Sequence, residues 1–298
     1  MTVIELIESA SARLQEAGVA FGHGTTNAFD EAAWLVLWSL GLPLDDLDAA
    51  AATPVSEAQA ARAHELVDER IRTRKPAAYL TREAWLQGVP FYIDERSIVP
   101  RSFIAEVIAD GSIDNWLSDQ TLRVLDLCTG NGSLAVLAAM AWPDVDVDAS
   151  DLSADALDVA RINVQRHGLQ DRITLLQGDG LAAVRGPYDL IVCNPPYVNA
   201  DSMARLPAEY QAEPALALGS GHDGMDFCRS LISTLQHEPA RYLSEHGVMV
   251  LEIGNEREHF EAAFPDLPVV WLDTSSGEGP LLLVTREALE LPAPEGAA

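Results

Sequence analysis

Between residues 121 and 285 short apolar runs alternate with stretches whose apolar residues recur at helical spacing. The pattern predicts strands over 122–127, 145–149, 172–177, 190–193 and 248–253. Helices are predicted over 133–141, from a Ser153 cap to about His167, and over 225–244. A final strand pair, 269–272 and 281–285, is joined by the polar stretch 275–279. Strand and helix in strict alternation predict a doubly wound α/β sheet. The first part of the chain reads differently. Ile4, Ile7 and Leu14 keep helical spacing, and 28–40 carries Trp34, Leu35, Leu37, Trp38 and Leu40. Gly22-His23-Gly24-Thr25 breaks the chain between those helices, and Ser56 is placed to cap a third over 57–73. Trp34 and Trp38, four apart, are read as core residues of this helical part.

Two short aromatic runs, Ala84-Trp85-Leu86-Gln87 and Phe91-Tyr92-Ile93-Asp94, flank Gly88-Val89-Pro90 and predict a β-hairpin. Pro100-Arg101-Ser102 then opens a helix predicted over 103–116. The chain therefore divides into a helical domain over 1–83, a hairpin linker over 84–99, an α/β domain over 100–290 and a flexible tail over 291–298.

Composition narrows the picture. A chain of 298 residues, nearly half apolar, can bury a substantial core. It has no apolar run near the roughly 18 residues that span a bilayer. The N-terminus carries acidic Glu5 where an export signal needs positive charge. Cys128, Cys193 and Cys228 form no close pair, so the spacing suggests neither a zinc site nor a disulfide framework, and a cytoplasmic location is expected. The net charge is −27, and Lys75 is the only lysine. That balance speaks against direct binding of a phosphate backbone and favours basic partners, although acidity also serves solubility.

Candidate chemistry begins where the first α/β strand ends, at Asp126-Leu127-Cys128-Thr129-Gly130-Asn131-Gly132. Gly130 and Gly132 allow a tight turn and a close approach of backbone to ligand. A dinucleotide loop would need a third glycine, and Ala135 stands in its place. Asp126 disfavours a pyrophosphate and suits a cationic group. Asp151 closes the second strand, where an acid can accept both hydroxyls of a ribose. Asp179, followed by Gly180, ends the third strand within reach of an adenine amino group. Taken singly, Asp151 can cap the next helix and Asp179 can sit in a turn. Acids at three successive strand ends together suit a ligand with a charged amino-acid head, a ribose and a purine, and S-adenosylmethionine is such a ligand.

The fourth strand stops at Asn194-Pro195-Pro196-Tyr197. Consecutive prolines remove two donors and fix φ, leaving a rigid corner with one amide side chain, a free carbonyl and an aromatic ring. On these residues the chain resembles the class I (Rossmann-like) S-adenosylmethionine-dependent methyltransferases whose corner of this sequence acts on amide or exocyclic amino nitrogens. More narrowly it resembles the bacterial protein-glutamine N(5)-methyltransferases, over nearly its whole length. One branch of that family modifies peptide-chain release factors, the other the third large-subunit ribosomal protein. Gly22-His23-Gly24-Thr25, Tyr79-Leu80-Thr81, Phe91-Tyr92-Ile93-Asp94-Glu95-Arg96 and Val99-Pro100-Arg101-Ser102 resemble the ribosomal-protein branch. So do Glu213-Pro214, Gly219-Ser220-Gly221 and Asp223-Gly224. The release-factor branch has an Ile-Pro-Arg-Pro-(Asp/Glu)-Thr-Glu segment at the last of the first set of positions, which this chain lacks. The family's loop often has glycine where Cys128 stands.

The resemblance implies S-adenosylmethionine held by Asp126, Cys128, Thr129, Gly130, Asn131, Gly132, Asp151, Asp179, Gly180 and Asn194. It implies catalysis by Asn194, Pro195, Pro196 and Tyr197, with the helical domain recognising substrate. An amide nitrogen shares its lone pair with its carbonyl. Acceptance of its two N–H bonds by the Asn194 side-chain oxygen and the Pro195 carbonyl would pin it and favour sp³ character, while Tyr197 packs on the amide plane. No metal, covalent intermediate or general base is required before transfer. Three other readings remain: methylation of release factors, amino-methylation of adenine in nucleic acid, and a ribosomal-protein binder with an inert cofactor pocket.

Overall fold

A computed structural model describes residues 1–291; the tail assigned to 291–298 lies outside them apart from Leu291. Thr2 and Ser56 form capping boxes with Glu5 and Gln59 at the helices Val3–Glu16 and Glu57–Thr73. Asn27 caps Ala28–Leu40, which Gly41 ends in the left-handed region. These three helices close on their own apolar core, including Leu6, Ile7, Leu14, Leu35 and Val67. Short helices the pattern did not predict follow at Leu47–Ala50 and Ala77–Thr81. Trp34 packs against that core, whereas Trp38 is 39% exposed and lies outside it.

The hairpin pairs β1 (Glu83–Leu86) with β2 (Val89–Tyr92). Its turn is shorter than expected. Gln87 and Gly88 both adopt positive φ, 49° and 74°, as a tight two-residue hairpin turn requires. Val89 and Pro90 therefore belong to the strand, and Pro90 is tolerated because a two-stranded ribbon leaves unpaired edges. The helix predicted over 103–116 is also shorter. It spans Ile104–Ala109, Gly111 turns left-handed with φ 72°, and a single 3₁₀ turn follows at Asp114–Trp116.

The α/β part holds β3 (Arg123–Leu127), β4 (Asp146–Asp151), β5 (Ile173–Gln177), β6 (Tyr188–Cys193), β7 (Leu243–Glu252), β8 (Val270–Thr274) and β9 (Gly277–Thr285). They form one sheet in the order β5-β4-β3-β6-β7-β9-β8, parallel from β5 to β7, with β9 antiparallel to both neighbours. The helix predicted over 225–244 stops at His237 because Pro239 cannot continue it, and the chain enters β7 at Leu243. Apolar clusters cover both faces of the sheet. The order reverses between β3 and β6, which are neighbours with Leu127 opposite Cys193. Ligands of doubly wound sheets bind at such a reversal, beyond the carboxyl ends of the strands.

Candidate active site

At that edge an open cleft encloses about 1070 Å³ of empty space. Cys128, Thr129, Gly130 and Asn131 line it from the loop after β3. Asp151 lines it after β4, Asp179 and Gly180 after β5, and Asn194 and Pro196 after β6. The parallel register thus brings together candidates spread over seventy positions of the chain.

The loop is braced by two acids, buried Asp126 and half-buried Asp151. Asp126 is wholly buried beneath it, away from the cleft surface, where Oδ2 accepts from Thr129 Oγ1 at 2.5 Å and from the Ala135 N–H at 2.9 Å. Burial pushes its carboxyl up to about 7, outweighing those two donors. Asp126 does not line the cleft, and its Oδ1 is buried without a partner among the described residues. Asp151 accepts the Gly130 N–H on Oδ2 at 2.9 Å and the Ser153 N–H on Oδ1 at 2.8 Å. Each oxygen can accept a further hydrogen bond. Burial raises this acid as well. Ser153, not Asp151, is the residue that caps the following helix.

The two loop glycines have different duties. A Cβ on Gly130, φ 56°, would meet Ser97 Oγ at 3.2 Å across the cleft wall. A Cβ on Gly132, φ 79°, would meet Ala160 at 3.1 Å, so this glycine admits the helix Ala154–Arg166 rather than a ligand. Cys128 sits at φ 63°, a conformation that accounts for a glycine at this position. Its sulfur joins Cys193 and Cys228 in one apolar cluster, although the three are remote in sequence. Asn163 locks the loop to the hairpin: its side-chain amide donates to the carbonyls of Asn131 and Tyr92 and accepts the Tyr92 N–H. Buried Ser97 Oγ, Ser150 Oγ and Asn131 Nδ2 line the cleft without protein partners among the described residues. Such orphaned groups, with Asp151 and exposed Asp179 at the strand ends, fit a ligand with a ribose and polar ends.

Beside the loop stands the Asn194 corner. Among the described residues neither the Asn194 side chain nor the Pro195 carbonyl has a hydrogen-bond partner in the protein. Pro195 itself is buried and Tyr197 half-buried. Tyr197 donates its hydroxyl to Glu252 Oε1 at 3.1 Å. A Cβ on Gly254 would lie 2.5 Å from its ring, and one on Gly224 would lie 2.1 Å from its carbonyl oxygen. These contacts escaped the sequence reading; only Asp223-Gly224 was marked, by resemblance.

Residues 199–218 make an excursion closed at its base by Val198, whose N–H donates to Leu218 at 2.8 Å and whose carbonyl accepts from Ser220 at 3.1 Å. Its far side is tied to the helical part. Buried Arg70 donates to Glu31 at 2.8 Å and to Glu209 at 3.2 Å. Glu213 accepts both Arg101 nitrogens, at 2.7 and 2.8 Å, and the Val99 N–H at 2.9 Å. His23 Nε2 lies 3.3 Å from Glu213 Oε2, an ion-pair distance whose angles fall short of a hydrogen bond. Burial works against the Glu213 carboxylate, yet His23 and Arg101 hold it down at about 2. Gly22 is required because a Cβ there would strike the Tyr210 hydroxyl at 2.2 Å, and the His23 ring packs on Tyr210 at 4.3 Å. The Gly22-His23-Gly24-Thr25 break is thus a socket for the excursion.

Comparison with known proteins agrees with this architecture. The family described as PrmC N-terminal domain matches residues 5–81, and Methyltransferase small domain matches 113–210. The chain is 53% identical to the ribosomal protein uL3 glutamine methyltransferase of Bordetella pertussis, over 97% of this chain and 96% of that protein. It is 50% identical to the protein of that name from Burkholderia pseudomallei, over 99% and 97%. For Neisseria meningitidis serogroup B the identity is 47%, over 97% and 94%. Among solved structures, the hMettl16 catalytic domain in complex with MAT2A 3'UTR hairpin 6 shares the fold with a TM-score of 0.51 at 13% identity, over 76% of this chain and 81% of that one. A helical part docked on a parallel sheet, a cleft at its reversal point and near-full-length identity around one half lead to one assignment: this chain is a methyltransferase and belongs to the family of ribosomal protein uL3 glutamine methyltransferases.

Proposed function

We propose that this chain binds S-adenosylmethionine in the cleft and methylates the side-chain amide nitrogen of a glutamine in ribosomal protein uL3. The observation that carries the chemistry is the pair of unpartnered acceptors, the Asn194 side-chain oxygen and the Pro195 carbonyl, beside a mostly apolar cleft with a few polar groups at its strand ends. Near-full-length relatives named for uL3 support the substrate.

Asp151 would take the ribose hydroxyls and Asp179 the adenine amino group. Cys128, Thr129, Gly130, Asn131 and Gly180 would frame the remainder, with Asp126 and Gly132 shaping the loop from behind. Bound there, S-adenosylmethionine supplies an electrophilic methyl group on a sulfonium sulfur. Asn194 and Pro195 accept the two N–H bonds of the glutamine amide and aim its lone pair along the line of displacement. Pro196 keeps the Pro195 carbonyl from turning away, because consecutive prolines fix the backbone. Tyr197 packs on the amide plane. The rate gain comes from orientation and from acceptors that need no reorganisation.

The net charge of −27 favours a basic ribosomal protein as partner and opposes direct nucleic-acid binding. Action in the cytoplasm is what a ribosomal-protein substrate implies; separately, no helix among the described residues is long and apolar enough to cross a membrane. Mass spectrometry of purified uL3 and release factors after incubation with enzyme and S-adenosylmethionine tests the proposal. We expect one glutamine of uL3 to gain the mass of a methylene. Methylation of the release factor alone would overturn the substrate, and methylation of nucleic acid alone would overturn the amide chemistry.

A further inference from the structure

We infer that Glu252 is a positioning residue for methyl transfer, fixing the ring of Tyr197 through its hydroxyl from the far end of β7. The inference rests on the reading of the Asn194 corner as the transfer site.

Glu252 is the last residue of β7 and is 2% exposed. Three donors from two other parts of the chain converge on it. Tyr197 donates to Oε1 at 3.1 Å, while Ser102 Oγ and the Phe103 N–H donate to Oε2 at 2.5 and 2.9 Å. An ionised carboxylate is the side chain that accepts several donors without offering one of its own. Burying such a group is costly, and burial does push Glu252 up to about 7. Its hydrogen bonds therefore serve a geometric purpose better than a stabilising one.

The residues that follow complete a cradle. Gly254 passes so close to the Tyr197 ring that a Cβ would lie 2.5 Å from it. Glu256, one helical turn beyond Glu252 in sequence, accepts the Asn199 side-chain N–H at 2.7 Å. Tyr197 is thus held at its hydroxyl and ring, and the Asn199 side chain two residues later is held by a second acid. A ring lodged in this way cannot swing about its Cα–Cβ bond, so the face it offers the substrate amide is set before substrate arrives. The same Glu252 carboxylate anchors Ser102, next to Arg101, which lines the cleft and pairs with Glu213. Two parts of the site are therefore aligned by one side chain that touches neither cofactor nor substrate.

The test is a double-mutant cycle on methylation of uL3, using Glu252→Gln, which keeps the volume, and Tyr197→Phe, which keeps the ring. Each single change is expected to lower kcat about tenfold, and the double change no further, because both remove the same coupling. KM for S-adenosylmethionine and Kd for S-adenosylhomocysteine should stay within about twofold of the parent. Losses that multiply, a wild-type kcat in either variant, or a matching loss of cofactor affinity would overturn the inference. If Glu252→Gln does not fold, Tyr197→Phe decides alone, since an unchanged kcat contradicts the role of the hydroxyl. Failure of the unsubstituted enzyme to methylate uL3 would instead overturn the proposed function.

Discussion

The loop proposed to hold the cofactor and the Asn194 corner are both held by acids, but the acids reach over very different distances along the chain. Asp126 and Asp151 bind backbone N–H groups of the loop between them or of the turn just after. Every one of those contacts lies inside the parallel sheet and its first crossovers. Glu252 and Glu213 bind groups more than fifty and more than a hundred positions away, including Tyr197, Ser102, Val99 and Arg101. Glu209 extends that web to Arg70 of the helical part. The sheet can therefore shape a cofactor loop unaided, whereas the corner is completed only when the strap over 99–103, the excursion over 199–218 and the helical part have docked. Cofactor binding and methyl transfer should separate under mutation along this line.

Outside the Asn194 corner itself, the sharpest break is expected at Gly224. An alanine there puts a Cβ 2.1 Å from the Tyr197 carbonyl oxygen and forces a side chain into φ 80°. We expect Gly224→Ala to lower kcat at least about 100-fold while leaving Kd for S-adenosylhomocysteine within about threefold. On the other side of the comparison, Asp151→Ala removes the acceptor of the Gly130 N–H together with the proposed ribose contact. It should weaken S-adenosylhomocysteine binding about 30-fold or more, read by calorimetry.

Glu213→Gln leaves Arg101 without a buried counter-charge. Stability should fall by about 2 kcal/mol in denaturant unfolding. KM for uL3 should rise more than KM for cofactor, because the excursion loosens from the helical socket.

Dependence on pH separates the same two kinds of acid. Asp126 and Glu252 have folded-state values near 7, above their usual 3.8 and 4.5, so the folded protein holds protons that the unfolded chain releases. Their contribution is least unfavourable below the unfolded values and worsens as pH rises from about 4 to 7. Glu213, held at about 2, contributes stability that is present above 4.5 and lost as pH falls toward 2. The melting temperature of the cofactor-free protein should therefore peak in mildly acidic solution. Glu252→Gln should flatten its decline toward neutral pH, and Glu213→Gln its decline toward acid. The smallest effect is expected at Cys128. Cys128→Gly relieves φ 63° but loosens the unfolded chain, so thermal unfolding should register a change below about 1 kcal/mol.

These two halves also differ in how far the sequence disclosed them. The strand ends, the glycine turn and Asn194-Pro195-Pro196-Tyr197 are written in consecutive residues, and apolar runs reveal where strands stop. The reversal between β3 and β6 was not legible, because strand–helix alternation and crossover chirality leave several strand orders open. Glu252, Gly254 and Glu209 carried no local mark, because their partners are chosen by folding rather than by spacing. His23 looked like a helix end and proved to pack on Tyr210 beside Glu213. Two misplaced helix ends had legible causes, since Gly111 and Pro239 both stand inside the spans predicted as helix. Gly132 was read for its effect on a ligand, whereas the neighbour it admits, Ala160, lies on a helix whose packing periodicity alone does not reveal.

Central to the account is that the corner performs the transfer and the strand-end acids hold the donor. Asn194→Ala is its most direct test, with S-adenosylhomocysteine binding followed by calorimetry and methylation of uL3 by mass spectrometry. The account predicts cofactor-product affinity within about threefold of the parent and transfer reduced at least about 1000-fold. Near-normal transfer by Asn194→Ala would contradict it.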